Sequence, residues 1–276
     1  MTYATLLVCV DDDPASDSRL ELACDLSVAF DARLIGLGVG SIAPPLYDPL
    51  AGGAMVGELI SLYRDMAEAE VERARRRFLE ITAARGVEAS WRGEIGYPAE
   101  VCARTARAAD LVLLGGRNPR APYHAPDVAD VLMRAGRPVL MTPPTWLRSP
   151  VGERALVAWK DSREARLAVA AALPLLQRAG KVFVYAACAP DDLESVGAGV
   201  EDVAGWLERH GIDAEAVTDA DREGPTGRQI LDEARARQVG LVVAGGYGHA
   251  RLQEWALGGV TRDLLDDSPV CVCLSH

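Results

Sequence analysis

The stretch LVVAGGYGHARLQEWALGGVT, residues 241–261, decides how the chain reads. Its first four residues form an uninterrupted apolar run, the length of a buried strand. Glycines follow at Gly245, Gly248, Gly258 and Gly259, in the pattern Gly-x2-Gly-x9-Gly-Gly, and a helical pattern runs from Val260 through Thr261 to Leu265. The residues admit two readings. One is a loop that brings bare backbone and the N–H groups of a helix start to an anion. The other is a flexible turn that ends a strand, with a helix start that meets only water.

The apolar run has a twin. LVLLGG at 111–116 matches LVVAGG at 241–246 with an offset of 130, and RPVLM at 137–141 matches SPVCV at 268–272 with an offset of 131. LLVCVDD at 6–12 matches ALVAWKD at 155–161, and ARLIGL at 32–37 matches KVFVYA at 181–186, both at 149. One unit therefore occurs twice, in residues 1–145 and 151–276, joined by a proline-bearing linker. The first copy is longer by about 19 residues, and the surplus falls near 41–55, whose prolines and glycines read as loop.

Each copy alternates short apolar runs with helical patterns. Copy one has runs at 5–10, 33–38, 88–94, 111–114 and 138–141, with helices expected at 16–30, 58–84, 99–108 and 127–134. Copy two has runs at 155–159, 182–187, 213–218, 241–244 and 270–274. In the long second helix, Leu59, Leu62, Met66, Val71, Ala74, Phe78 and Ile81 form an apolar stripe, and Gly86 closes it. Apolar strands separated by helices predict parallel strands covered on both faces. Right-handed crossovers then give an α/β fold of two tandem doubly wound five-stranded parallel sheets.

The net charge of −11 repels nucleic acid and anionic membrane, so neither is expected as a partner. No basic leader opens the chain, and no apolar run reaches the roughly 18 residues that span a bilayer, so a cytoplasmic location is expected. Six cysteines, Cys9, Cys24, Cys102, Cys188, Cys271 and Cys273, sit mostly in apolar runs and are expected to be reduced and buried. No second Cys or His pair completes a zinc set, and no metal site is assigned.

Ligands of such sheets bind beyond the carboxyl ends of the strands, where the strand order reverses. In copy two this selects Lys160 and Asp161 after the first strand, Ala187 after the second, and the glycine loop after the fourth. Lys160 suits a phosphate, Asp161 a metal ion or a ribose hydroxyl. Gly259 and Val260 offer helix-start N–H groups, and Thr261 a hydroxyl. Gly36-x-Gly38-x-Gly40 also follows a strand, but Pro44-Pro45 argues against the helix that a dinucleotide fingerprint needs. No nucleophile–base pair is visible. His249 and Glu254 are open to nomination as bases, and no catalytic residue is assigned.

On these residues the repeated unit resembles the universal stress protein domain, and the chain is similar to tandem members over about 3–143 and 153–275. Members with nucleotide carry Gly-x2-Gly-x9-Gly-Ser/Thr after the fourth strand. Gly245, Gly248 and Gly258 fit that pattern, and Gly259 stands where Ser or Thr is usual. The resemblance implies the fold shared with adenine nucleotide alpha hydrolase-like proteins. It implies ATP or another adenine nucleotide as ligand, or none, and stress-response sensing without efficient catalysis. A slow ATP hydrolase and a scaffold acting through protein partners are the alternatives. Where members often end the first strand with Asp-Gly-Ser, this chain has Lys160-Asp161-Ser162: either Lys160 neutralises phosphate directly and lowers the need for Mg2+, or it is solvated and the site is weaker. Copy one keeps Asp11 and Gly115 but has Asn118, Val128 and Ala129 for the other glycines, which implies a degenerate site. The fifth strands, 139–141 and 270–273, are expected to pair antiparallel and pack the copies as an intramolecular pseudo-dimer; a further homodimer is left open.

Overall fold

The computed structural model describes residues 2–13, 15–42, 53–116, 125–144, 149–220, 224, 226–247 and 259–276. The first half contains β1 (Thr5–Cys9), α1 (Ala15–Phe30), β2 (Arg33–Gly40), α2 (Gly53–Arg85), β3 (Ala89–Ile95), α3 (Pro98–Thr105), β4 (Leu111–Gly115), α4 (Val128–Ala135) and β5 (Val139–Thr142). The second repeats that order with β6 (Arg154–Ala158), α5 (Arg163–Leu176), β7 (Lys181–Ala187), α6 (Leu193–Arg209), β8 (Ala214–Asp219), α7 (Thr226–Ala236), β9 (Val239–Gly245), α8 (Gly259–Asp267) and β10 (Cys271–Ser275). All ten strands make one sheet in the order β3-β2-β1-β4-β5-β10-β9-β6-β7-β8. Strands are parallel within each half. The halves meet through the expected antiparallel pair, with Val272 opposite Met141 and Leu274 opposite Val139.

Alternate residues of each strand enter opposite faces; in the inner strands both faces are dry, which is why these read as continuous apolar runs, while the edge strands β3 and β8 are partly exposed. Leu6 and Val8 join one apolar cluster; Leu7 and Cys9 join the other. Each cluster draws on both halves. The Tyr3 hydroxyl donates to the Ala171 carbonyl at 2.7 Å, and the Arg178 guanidinium lies 4.8 Å from the Phe30 ring centre. On the opposite face, a Cβ on Gly246 would stand 2.5 Å from Leu132 of α4.

The Gly36-x-Gly38-x-Gly40 pattern has a packing role. Cβ atoms at these positions would collide with Phe78, Trp91 and both Ile95 and the Ala67 carbonyl, respectively. Their absence lets α2 and the Trp91 ring lie directly on β2.

Two expectations about this region change. The helix begins at Gly53, so the end of the expected 41–55 loop is helical; residues 43–52 lie outside the described residues. The apolar stripe is buried only in part. Ala74 and Phe78 are buried, whereas Leu62 and Met66 are 54% and 53% exposed and Leu59 is exposed too. The Ala67 carbonyl already lies against Gly40, the last residue of β2. Residues before Ala67 therefore run past the carboxyl edge of the sheet for about 20 Å, at 1.5 Å per residue. Among the described residues, no helix is long and apolar enough to cross a membrane.

Candidate functional site

In each half the chain winds outward from a central strand and then returns to its other side. The reversal falls between β1 and β4 in the first half and between β6 and β9 in the second. A crevice opens at such a reversal beyond the carboxyl ends of the strands.

The first crevice is filled from within. Arg19 of α1 is 3% exposed. Its Nε donates to the Cys9 carbonyl at 2.8 Å, and its Nη2 donates to Asp11 Oδ2 at 2.8 Å and to Ser16 Oγ at 3.1 Å. Its Nη1 occupies the space that a Cβ on Gly115 would need. One guanidinium thus bridges the ends of the two strands that border the crevice. Around it, Arg73 and Arg77 of α2 pair with Asp12 and Asp17. Asp11 and Asp12 of the acidic run after β1 are therefore matched by arginines, and Asp13 accepts from the Ala15 N–H. At the start of α4, the Asp127 side chain accepts from the Asp130 N–H, so this helix start is capped by its own chain.

The second crevice has a different lining. At the offset of 149 that aligns β1 with β6, Asp11 corresponds to Lys160 and Arg19 to Ala168. Ala168 is buried and carries no polar group. Lys160 and Asp161 follow β6 and are exposed, and Arg166 in the first turn of α5 pairs with the Asp161 carboxylate. The Ser162 hydroxyl caps α5 by accepting from the Ala165 N–H. Glu164, on the first turn of the same helix, has its carboxyl held below the usual range by its own backbone N–H.

The register brings most of the expected residues to one edge. Ala158 of β6 lies opposite Tyr185 on one side and Ala244 on the other, so Lys160, Ala187 and Gly245 all lie one or two residues beyond the same level. Ala187 is the half-buried last residue of β7. Gly245 ends β9, and its missing Cβ serves helix packing: the atom would stand 2.6 Å from the Ala165 nitrogen at the start of α5. The left-handed backbone conformation falls two residues later, on Tyr247, at φ 61. Gly246 donates its N–H to the Ser275 carbonyl, while its own carbonyl lies 3.1 Å from His276 Nδ1. These bonds tie the exit of β9 to the end of β10.

Gly259, Val260 and Thr261 form the first turn of α8 at the same edge. Gly259 is exposed, with open space where a Cβ would project; Val260 is half-buried. Thr261 is buried on the side that also carries Leu264. Gly248, Gly258, His249 and Glu254 lie outside the described residues. A separate cavity of about 400 Å3 lies between α7 and α8, lined by Arg228, Arg235, Asp232, Asp263 and Asp267 around Leu231. Its charges are mixed, which gives an anion little preference for it.

Arg19 was not among the residues singled out from the sequence. The offset between the copies carries what signal there is, because it sets a long cationic side chain opposite alanine on the helix that follows the first strand of each copy.

A doubly wound half, repeated and fused through its fifth strands, is the architecture of a known family. The model of the Universal stress protein family matches residues 2–143 and again 153–275. The chain belongs to the universal stress protein family, as a tandem member. A universal stress protein from Archaeoglobus fulgidus DSM 4304 is similar in structure, with a TM-score of 0.71 and 16% identity, over 98% of this chain and 95% of that one. A functionally unknown protein from Pseudomonas aeruginosa PAO1 has a TM-score of 0.59 and 18% identity, over 99% and 92%. At these identities the likeness speaks for the fold. No curated protein matches the sequence.

Proposed function

We propose that the protein binds an adenine nucleotide, ATP or a close relative, beside β6 and β9, and that it senses the nucleotide without efficient turnover. The observation that carries this reading is the difference between the two crevices: Arg19 fills one, and Ala168 stands at the matching place in the other. In this reading residues 151–276 form the binding unit and residues 1–145 a unit whose own site is closed. Lys160 faces the phosphates as a fixed positive charge, and the backbone N–H groups from Gly259 to Thr261 receive phosphate oxygens at the start of α8. Gly248 and Gly258 belong to the same glycine pattern in the sequence. With Lys160 in place of a metal-binding carboxylate, binding depends little on Mg2+.

Calorimetric titration of ATP into the full chain tests this, with and without Mg2+. One site per chain is expected, of similar affinity in both buffers. Lys160→Glu is expected to weaken binding at least tenfold, about 1.4 kcal/mol. ATP at about 100 times its Kd should stabilise the fold by about 2.7 kcal/mol. Absence of both heat and thermal shift at millimolar ATP would refute nucleotide binding and favour a scaffold. Steady phosphate release would favour the hydrolase.

A further inference from the structure

The two halves differ in a second way. Cys9 ends β1 and Cys102 lies on α3, 93 residues apart in sequence, yet their Sγ atoms are 3.4 Å apart. Both are buried, at 3% and 0% exposure. We propose that Cys9 and Cys102 form a dithiol that a small neutral peroxide oxidises to a disulfide.

A disulfide needs about 2.05 Å between the sulfurs, so the pair has about 1.4 Å to close. The partner element is short. α3 spans eight residues, starts at Pro98 with no side-chain cap from Tyr97, and passes directly into a 3-10 turn at Ala106–Ala108. A small uncharged oxidant reaches the pair when α3 opens locally. The remaining thiols are arranged differently. Cys271 and Cys273 stand two residues apart on β10, where alternation points them to the same face. The Cys188 thiol is only partly buried, and Cys24 lies on α1.

The chemistry balances without a metal. Peroxide takes two electrons from one thiol, giving a sulfenic acid and one water. The neighbouring sulfur attacks that sulfur, the S–O bond breaks, and the hydroxyl leaves as a second water with the proton of the attacking thiol. The thiolate is the reactive form. The S–H contact with Cys102 and burial raise the pKa of Cys9; Asp11 raises it further and Arg19 lowers it. Oxidation is therefore slow near neutrality and accelerates as the pH rises. The product would tie α3 to the strand whose last carbonyl holds Arg19, stiffening the filled crevice.

The test uses the folded, reduced full chain. It is exposed to hydrogen peroxide at pH 7.5 and at pH 9, then unfolded in N-ethylmaleimide and digested for mass spectrometry. The expected result is a linked Cys9–Cys102 peptide, 2 Da lighter than the two free peptides together. It should form at least tenfold faster at pH 9, vanish on reduction and be absent from Cys102→Ser. Maleimide-labelled Cys9 and Cys102 at exposures that oxidise Cys188 would overturn the proposal. So would their recovery as sulfinic acids, or a bond from Cys9 to any other cysteine.

Discussion

Arg19 shows what one side chain does at the end of a strand. Its charge is removed from water and is tolerated because Asp11, Ser16 and the Cys9 carbonyl each take a hydrogen bond. Removing one member of such a pair leaves the other desolvated. Arg19→Met is therefore expected to lower stability by about 3 kcal/mol, and adding Asp11→Asn to recover at least half of that. Urea denaturation read at constant slope checks both. The glycines and Lys160 were legible in the sequence because Gly and Lys interrupt an apolar pattern visibly. Arg19 was not, since one arginine among the serines and acids that open a helix reads as a solvated side chain. At Gly245 the glycine spacing predicts backbone bared toward a ligand. That the first turn of α5 takes the room of its Cβ was not legible, because the approach is made from 80 residues away.

Among the elements, strands were read to within a residue or two, as β4 and β7 show, because burial on both faces leaves them few polar interruptions. The start of α2 was harder. Its apolar spacing continues upstream of Ala67, but spacing reports only which residues share a face, and burial also needs a surface to meet. Beyond Gly40 the sheet offers none. Leu62→Glu and Met66→Glu should each change stability by no more than about 0.5 kcal/mol, whereas Phe78→Ala should cost about 3–5 kcal/mol. Urea midpoints of the three variants decide it. Equal losses at all three positions would mean that the first half of α2 is covered in solution.

The molecule as a whole is joined more thoroughly than a repeat on a linker would be. The β5–β10 ladder, the Tyr3–Ala171 hydrogen bond, the Arg178–Phe30 stack and the Gly246–Leu132 contact all cross between halves. Scanning calorimetry is therefore expected to show a single transition, with calorimetric and van't Hoff enthalpies in agreement. Two resolved transitions would mean that the halves unfold independently. The antiparallel junction was legible through the family resemblance. The contacts of Tyr3 and Phe30 were not, because they depend on how two sheets are placed after the junction forms.

That junction has a consequence for inheritance. When two identical chains assemble about a two-fold axis, every substitution appears twice, and both sites change together. Here the partners are encoded separately. Arg19 in one half and Ala168 in the other is a difference that a symmetric pair cannot hold. Each molecule carries one guanidinium-filled crevice, and dilution cannot exchange its halves for two of a kind.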